Sequence, residues 1–368
     1  MMTYFDEVET EKPHNGYSYS IKDTITITIL GSLCGLKNVS QIHQWAVHER
    51  VRTYLKEKWS IEKVPCYYWM LCLMKIIKPA SLNKCFERWT ASLIPQETKR
   101  LTIAMDGKTI CSTKNMRGYE YPLHIVSAQL SELGITLGQV SVEDKSNEIP
   151  AVQQLIAELN LHGCMVVADA LNCQKETAAR IVEGKADYLL SVKENQPTLK
   201  EDIETYVQDE TLRDGMKKAV QTEKNRDRLE KRTGFVTADV GWLPQRDEWK
   251  RLTCIGAVKT EFESKKGKSL EWHYYISSRD LTAEELLHHA RMEWAVESMH
   301  WLLDIHFDED GCRVEDKNVQ QNLNMLRKAA LNIVKQYQAR THTKRPMSKI
   351  MFDCLLDCSC LSKLFLQT

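Results

Sequence analysis

The sequence predicts an α/β fold: a mixed five-stranded sheet with helices, preceded by a small helical domain and interrupted by a β-rich insertion. Three observations carry this reading. Two apolar runs, LTIAMD and CMVVAD, each read as a buried strand ending on an aspartate, Asp106 and Asp169. Around them the patterns follow in the order strand, strand, strand, helix, strand, helix, strand. Before them, residues 17–98 read as mostly helical. The expected layout is a helical N-terminal domain over 1–98 and an α/β domain over 99–335 with an insertion at about 200–280. A helical tail follows over 336–368.

Within the N-terminal region, Asn38 to Trp59 places Val39, Ile42, Trp45, Ala46, Val51, Tyr54 and Leu55 on one helical face. Ser81 to Leu93 is a shorter helix before Pro95. The segment TITITIL, Thr24 to Leu30, is in conflict with itself. Its alternation and β-branched residues favour a strand, while its helical neighbours favour a helix.

From Leu101 the pattern changes. LTIAMD is a strand ending at Asp106, with Gly107 as a turn residue. LHIVSAQL (Leu123 to Leu130) and ITLGQVSV (Ile135 to Val142) form a hairpin through SELG. Pro150 opens a helix, since proline is tolerated at a first helical position, and Gly163 closes it. MVVAD is the next strand, Gln174 to Glu183 a helix, and DYLLSVK (Asp187 to Lys193) the fifth strand. This is the order of a ribonuclease H-like core, in which the first and fourth strands are neighbours. Asp106 and Asp169 would then lie side by side.

Residues 200–280 read as a polar helix followed by the strand-like runs GFVTADVGWL, RLTCIGAV and EWHYYISS. Thr282 starts a long helix, with Glu285 at capping-box spacing and Leu287, Ala290, Trp294 and Trp301 as an apolar stripe. Beside the stripe, Glu293, Glu297, His300 and Asp304 fall on nearly one side. Like charges at i, i+4 repel by a few tenths of a kcal/mol, roughly, a penalty that a metal ion or cationic partner would remove. The plain alternative is a solvated acidic face.

Composition narrows the function classes. The chain has 368 residues, 43% of them hydrophobic, with 50 basic and 50 acidic side chains. Zero net charge counts against a protein that coats DNA nonspecifically. The distribution is uneven, however: Arg313 to Lys349 holds nine Lys/Arg against two Asp/Glu, enough to neutralise phosphates locally. A solvated helix face is the alternative. The acidic, polar N-terminus is unlike a secretory signal, and no apolar run is long enough to span a bilayer. Twelve cysteines without a CxxC pair read as reduced packing thiols of a cytoplasmic protein, including Cys354, Cys358 and Cys360. Asp308, Glu309 and Asp310 read as a loop rather than a second metal site.

Asp106, Asp169 and Glu297 are the residues two-metal phosphoryl transfer requires. Hard carboxylate oxygens would converge on Mg²⁺ from two strand ends and a helix. A nuclease or a transposase is the leading reading.

The residues also resemble a family, the DDE transposases of bacterial insertion sequences, in the group containing the H-repeat-associated proteins. The resemblance spans roughly residues 17 to 335. It rests on IAMDGKT (Ile103 to Thr109), HIVSAQ, DKSNEIPA (Asp144 to Ala151), VVADALNCQKE (Val166 to Glu176), YLLSVKENQPTL (Tyr188 to Leu199) and MEWAVESMHWLLDIHFDEDGCRV (Met292 to Val314). It implies Asp106, Asp169 and Glu297 as catalytic and metal-binding residues, with two Mg²⁺ for which Mn²⁺ substitutes. It implies cleavage and strand transfer at insertion-sequence ends, and a bacterial cytoplasmic protein dimeric on DNA. Its partners would be double-stranded DNA, as terminal inverted repeats and as target. It also favours helix for TITITIL. Candidate DNA contacts are Lys108, Asn195, Gln196, Arg291, His300, Arg313, Arg327, Lys328 and Lys335, each with a structural alternative. Three positions depart from the pattern. Glu293 stands where the group usually has His, Asp304 where related enzymes have Lys, and Glu194 where Gly is usual. The competing readings are a catalytically silent DNA-binding relic of a mobile element and a stand-alone nuclease with the same core.

Overall fold

The structure, a computed structural model, describes residues 1–12, 19–94, 101–114, 116–142, 148–225, 228–264 and 267–365. The expected boundary at 98–99 and the stretch Asp144 to Asn147 lie outside the described residues.

The chain opens with five helices, α1 (Ile21–Leu33), α2 (Val39–Ala46), α3 (Glu49–Trp59), α4 (Tyr67–Ile76) and α5 (Pro79–Ala91). TITITIL is helical and lies inside α1, of which Thr24 to Leu33 are all buried. A helix buried all round has no amphipathic period for a sequence to show. Its hydroxyls are satisfied locally: Thr24, Thr26, Thr28 and Ser32 each donate to the carbonyl four residues back, at 2.8–3.0 Å. The segment read as one helix from Asn38 to Trp59 is two, because the chain breaks between Ala46 and Glu49.

One sheet follows. Its strands are β1 (Thr102–Thr109), β2 (His124–Leu130), β3 (Ile135–Val142), β4 (Met165–Ala168), β5 (Asp187–Val192), β6 (Lys217–Asn225), β7 (Arg228–Thr237), β8 (Cys254–Ser264) and β9 (Gly267–Ser277). Their order is β3-β2-β1-β4-β5-β9-β8-β7-β6. The first five form the expected mixed unit, with β1 parallel to β4 and β4 parallel to β5. The insertion is β-rich as expected, but it extends the same sheet: β9 pairs antiparallel with β5, giving nine strands rather than five. β6 was not legible because KKAVQTEKN is nearly all polar.

Helices cover both faces. On one side α6 (Glu148–Glu158), α7 (Lys175–Glu183) and α8 (Pro197–Gln208) pack on Ile103, Met105, Val166 and Ala168. On the other side Ala104, Met165, Val167 and Leu189 share a core with α1–α5. That core also takes in α10 (Ala283–Glu293), α11 (Ala295–Phe307), α12 (Lys317–Thr341), α13 (Met347–Leu356) and α14 (Cys358–Phe365). The short helix α9 (Glu210–Asp214) leads into β6. No helix among the described residues is long and apolar enough to cross a membrane.

Candidate active site

Register and parity place the two aspartates. Along the parallel pair, Thr102 faces Met165 and Met105 faces Ala168, a constant offset of 63 residues. The next residues are Asp106 and Asp169. Side chains alternate across a sheet, so Asp106 shares the face of Ala104, and Asp169 shares that of Met165 and Val167. This is the face covered by α10, α11 and α12. β1 does not end at Asp106. It runs on to Thr109 because β2 pairs with it throughout, Asp106 with Ser127 and Thr109 with His124. Gly107 is therefore a strand residue and not a turn.

Asp169 follows β4 and caps a single 3-10 turn, Ala170–Asn172. Its Oδ1 accepts from the Asn172 backbone N–H at 3.2 Å and from Asn172 Nδ2 at 3.0 Å. Asn195 and Gln196, considered as DNA contacts, instead hold this segment. Asn195 Nδ2 donates to the carbonyls of Ala170 and Cys173, and Gln196 Nε2 to that of Cys173 at 3.1 Å.

The helix over the site is not continuous. α10 starts with the expected capping box, Thr282 Oγ1 taking the Glu285 N–H at 3.1 Å and Glu285 Oε2 the Thr282 N–H at 3.0 Å. It ends at Glu293, and after Trp294 a second helix begins. Glu293 and Glu297 thus flank a break. Gly234 and Gly256 let α10 lie close on the sheet: a Cβ at Gly256 would stand 2.8 Å from Leu286, and one at Gly234 2.9 Å from Leu287. Ser131 Oγ donates to the Met292 carbonyl at 3.1 Å, and Thr136 Oγ1 to Met299 Sδ at 2.9 Å, which anchors the break and α11 on the β2–β3 hairpin. The anticipated apolar stripe is split: Leu287 is buried, but Trp294 and Trp301 are 57% and 60% exposed.

α11 runs along β1. His300 Nε2 lies 3.7 Å from Asp106 Oδ2. The imidazole is buried, neither ring nitrogen has a hydrogen-bond partner among the described residues, and burial followed by Lys328 and Lys108 pushes its pKa down to about 3. It is neutral at pH 7. Further along, Asp304 meets Lys108, which also contacts Glu309 at 2.8 Å and Asp310 at 3.5 Å. Burial penalises the Lys108 charge, but Glu309, Asp304 and Asp310 outweigh it and hold the pKa above its usual value. Lys108 is caged by carboxylates rather than presented to a phosphate.

The carboxylates around Asp106 have the opposite character. Its pKa is pushed up to about 6, by burial first, then by Glu148, with Asp169 and Glu297 adding. Glu293 is raised to about 8, by burial and then by Asp169, with Asp106 and Glu297 adding, against Lys193. This donor set of hard oxygens, repelling one another, suits a divalent cation. Among the described residues, however, no three His, Cys, Asp or Glu side chains are drawn together as a ready metal cage. Asp106 and Asp169 are neighbours, while Glu297 sits exposed on α11.

The remaining candidates separate. Arg291 is exposed and ion-pairs with Glu223 of β6, and Arg313 is exposed. The basic stretch of α12 does not form the expected surface. Arg327 is buried and donates to the Lys37 carbonyl at 2.9 Å. Lys328 is 1% exposed and donates to Ser127 Oγ and Gln139 Oε1, both at 2.7 Å. Lys335 is half-buried against Gly134. Arg327 and Lys328 face the core because α12 packs against α1, α4, α5 and β3. Reading the sequence passed over Glu148 and His124. The signals for them were a histidine opening the strand HIVSAQL and a glutamate two residues before Pro150.

Comparison with known proteins now decides the family. A family model described as "Transposase DDE domain" matches residues 97–333, and one described as "DDE_Tnp_1-associated" matches residues 2–90. The chain belongs to the transposase DDE domain family. Among relatives of this transposase-family chain, "Putative transposase YncI" of Escherichia coli O157:H7 is 29% identical, covering 91% of this chain and 87% of its own. "H repeat-associated putative transposase YhhI" of Escherichia coli (strain K12) is also 29% identical, covering 91% and 90%. A piggyBac transposase, solved as a synaptic complex with hairpin DNA, aligns over 97% of this chain and 76% of its own. Its TM-score is 0.44 at 10% identity, a likeness too loose to carry an argument.

Proposed function

We propose that this chain is a DNA transposase that cleaves and joins DNA strands by metal-dependent phosphoryl transfer, with Asp106, Asp169 and Glu297 as the carboxylate triad on a ribonuclease H-like core. The observation that carries the reading is the β1–β4 register, which sets Asp106 beside Asp169 on the face that α11 covers. Family membership supports it.

Two Mg²⁺ ions, replaceable by Mn²⁺, would supply activation of a water or a DNA 3′-hydroxyl and stabilisation of the leaving oxygen. The protein's part is positional. Asp106 and Asp169 present oxygens from a rigid strand pair. Glu297 would add a third from α11, where its side chain is exposed. His300, neutral and buried, lies against the Asp106 carboxylate at 3.7 Å and brings no positive charge to it. Lys108 fastens α11 to β1. No protein nucleophile is required. The DNA partners would be the terminal inverted repeats of an insertion sequence and a target duplex, engaged by a dimer.

The test is cleavage of DNA carrying the matched element ends. Asp106→Asn should lower cleavage in Mg²⁺ by about 10³-fold or more, since several kcal/mol of transition-state stabilisation is removed. DNA binding should be retained, because phosphate contacts that position the duplex lie elsewhere. Wild-type rates in the variant would overturn the assignment.

A further inference from the structure

A buried polar chain beneath the two aspartates has no part in the mechanism above. His124, the first residue of β2, is 1% exposed, Glu148, the first of α6, is 3% exposed, and Asn172 is fully buried. Thr109 Oγ1 lies 3.0 Å from His124 Nδ1, and His124 Nε2 lies 2.9 Å from Glu148 Oε2. Asn172 Nδ2 donates 3.0 Å to Glu148 Oε1 and also 3.0 Å to Asp169 Oδ1. One amide nitrogen therefore ties a buried carboxylate to the second aspartate. The same chain touches the first aspartate's strand. A Cβ at Gly107 would stand 2.3 Å from His124 Nε2 and 2.6 Å from Glu148 Oε2, so the residue after Asp106 has no room for a side chain.

Burying three polar side chains is costly unless they are hydrogen-bonded, and among the described residues every polar side-chain atom of the three except Asn172 Oδ1 has a partner. Here they connect the two segments on which the proposed chemistry depends. Asp169 Oδ1 accepts from both the Asn172 backbone N–H and Asn172 Nδ2, which restrains the rotamer of that carboxylate.

We propose that His124, Glu148 and Asn172 are positioning residues that orient Asp169 beside Asp106 and thereby set the affinity of the site for a divalent ion. This rests on the transposase reading above. It is distinct from a direct ligand role for Glu148, and the two differ in what glutamine does. In Glu148→Gln, the amide oxygen still accepts from Asn172. The amide nitrogen donates to His124 Nε2, and His124 takes the other tautomer and donates from Nδ1 to Thr109. The network survives without the charge. In Glu148→Ala it does not.

The experiment is Mn²⁺ titration of the full chain by isothermal calorimetry for wild type, Asp106→Asn, Glu148→Ala, Glu148→Gln and Asn172→Ala. Thermal midpoints without metal are measured alongside. Glu148→Ala and Asn172→Ala should weaken Mn²⁺ by about 10–100-fold, the usual range for residues that orient metal ligands. Glu148→Gln should stay within about threefold of wild type. If Glu148→Ala does not fold, the contrast between Asn172→Ala and Glu148→Gln carries the same test. Unchanged affinity in the alanine variants would overturn the proposal while leaving the triad standing. Glu148→Gln as weak as Glu148→Ala would overturn it in favour of a charge or ligand role. Wild type binding no more Mn²⁺ than Asp106→Asn would withdraw the triad and the proposal together.

Discussion

Asp106 and Lys108 lie two residues apart on β1 under the same helix, and their surroundings are opposite. Around Asp106 stand Asp169, Glu297 and Glu148, with a neutral His300 as the nearest basic side chain on α11, and the Asp106 pKa rises to about 6. Around Lys108 stand three more carboxylates, Asp304, Glu309 and Asp310, with the cation already in place. The second cluster has its counter-cation built in and holds the helix down. The first is left with repulsion that a bound cation would relieve. A run of acids in a sequence therefore says little until its counter-charge is located.

The largest expected effect separates the two glutamates flanking the Trp294 break. Glu297→Gln should cost about 10³-fold in cleavage rate, as for other lost metal ligands. Glu293→Gln should stay within about tenfold of wild type if Glu297 is the third carboxylate of the proposed triad. The structure makes this a sharp test, since Glu293 is the more buried of the two and feels Asp169 most strongly among its charged neighbours. Rates measured in both Mg²⁺ and Mn²⁺ that reverse the order would move the third ligand to Glu293.

Next in size is the Lys108 cage. Lys108→Met leaves Glu309, which is 2% exposed, without its cation, and losing one partner of a buried pair costs about 3–5 kcal/mol. Urea denaturation should show a loss near the lower end of that range, while Asp310→Asn, at the cage rim, should cost below about 1 kcal/mol. Equal and small losses would mean the cage does not secure α11.

The smallest effect concerns Lys328, whose pKa burial pushes down to about 8, with Glu309 opposing and Lys108 adding. A lysine depressed in the folded state disfavours folding fully below pH 8. That cost is relieved as pH rises from about 8 toward the unfolded value near 10.5. The thermal midpoint of wild type should therefore rise relative to Lys328→Met across this window. A constant difference would show that Lys328 does not titrate there.

Much of the core was legible because its signals are local. Apolar runs ending in Asp106 and Asp169 mark strands, and a parallel pair with both residues just past the last pairing needs no further information. The capping box at Thr282 was equally direct. What failed was whatever depends on facing. Thr24 to Thr28 alternate like a strand, but a helix buried on every side tolerates any period. Arg327 and Lys328 look like a basic surface, yet α12 turns them inward. Trp294 and Trp301 look like core residues and are exposed because the helix breaks between Glu293 and Ala295. Glu148 and His124 escaped because they meet each other, and Glu148 meets Asn172, through the sheet and not along the chain.

The most direct test of the central claim is Fe²⁺-directed hydroxyl-radical cleavage of the full-length polypeptide, with excess Mg²⁺ as competitor. The account predicts backbone cuts near Asp106, Asp169 and Glu297, suppressed by Mg²⁺, lost in Asp106→Asn and kept in Asp310→Asn. Cuts that persist in Asp106→Asn but vanish in Asp310→Asn would place the ion in the Lys108 cage and contradict it.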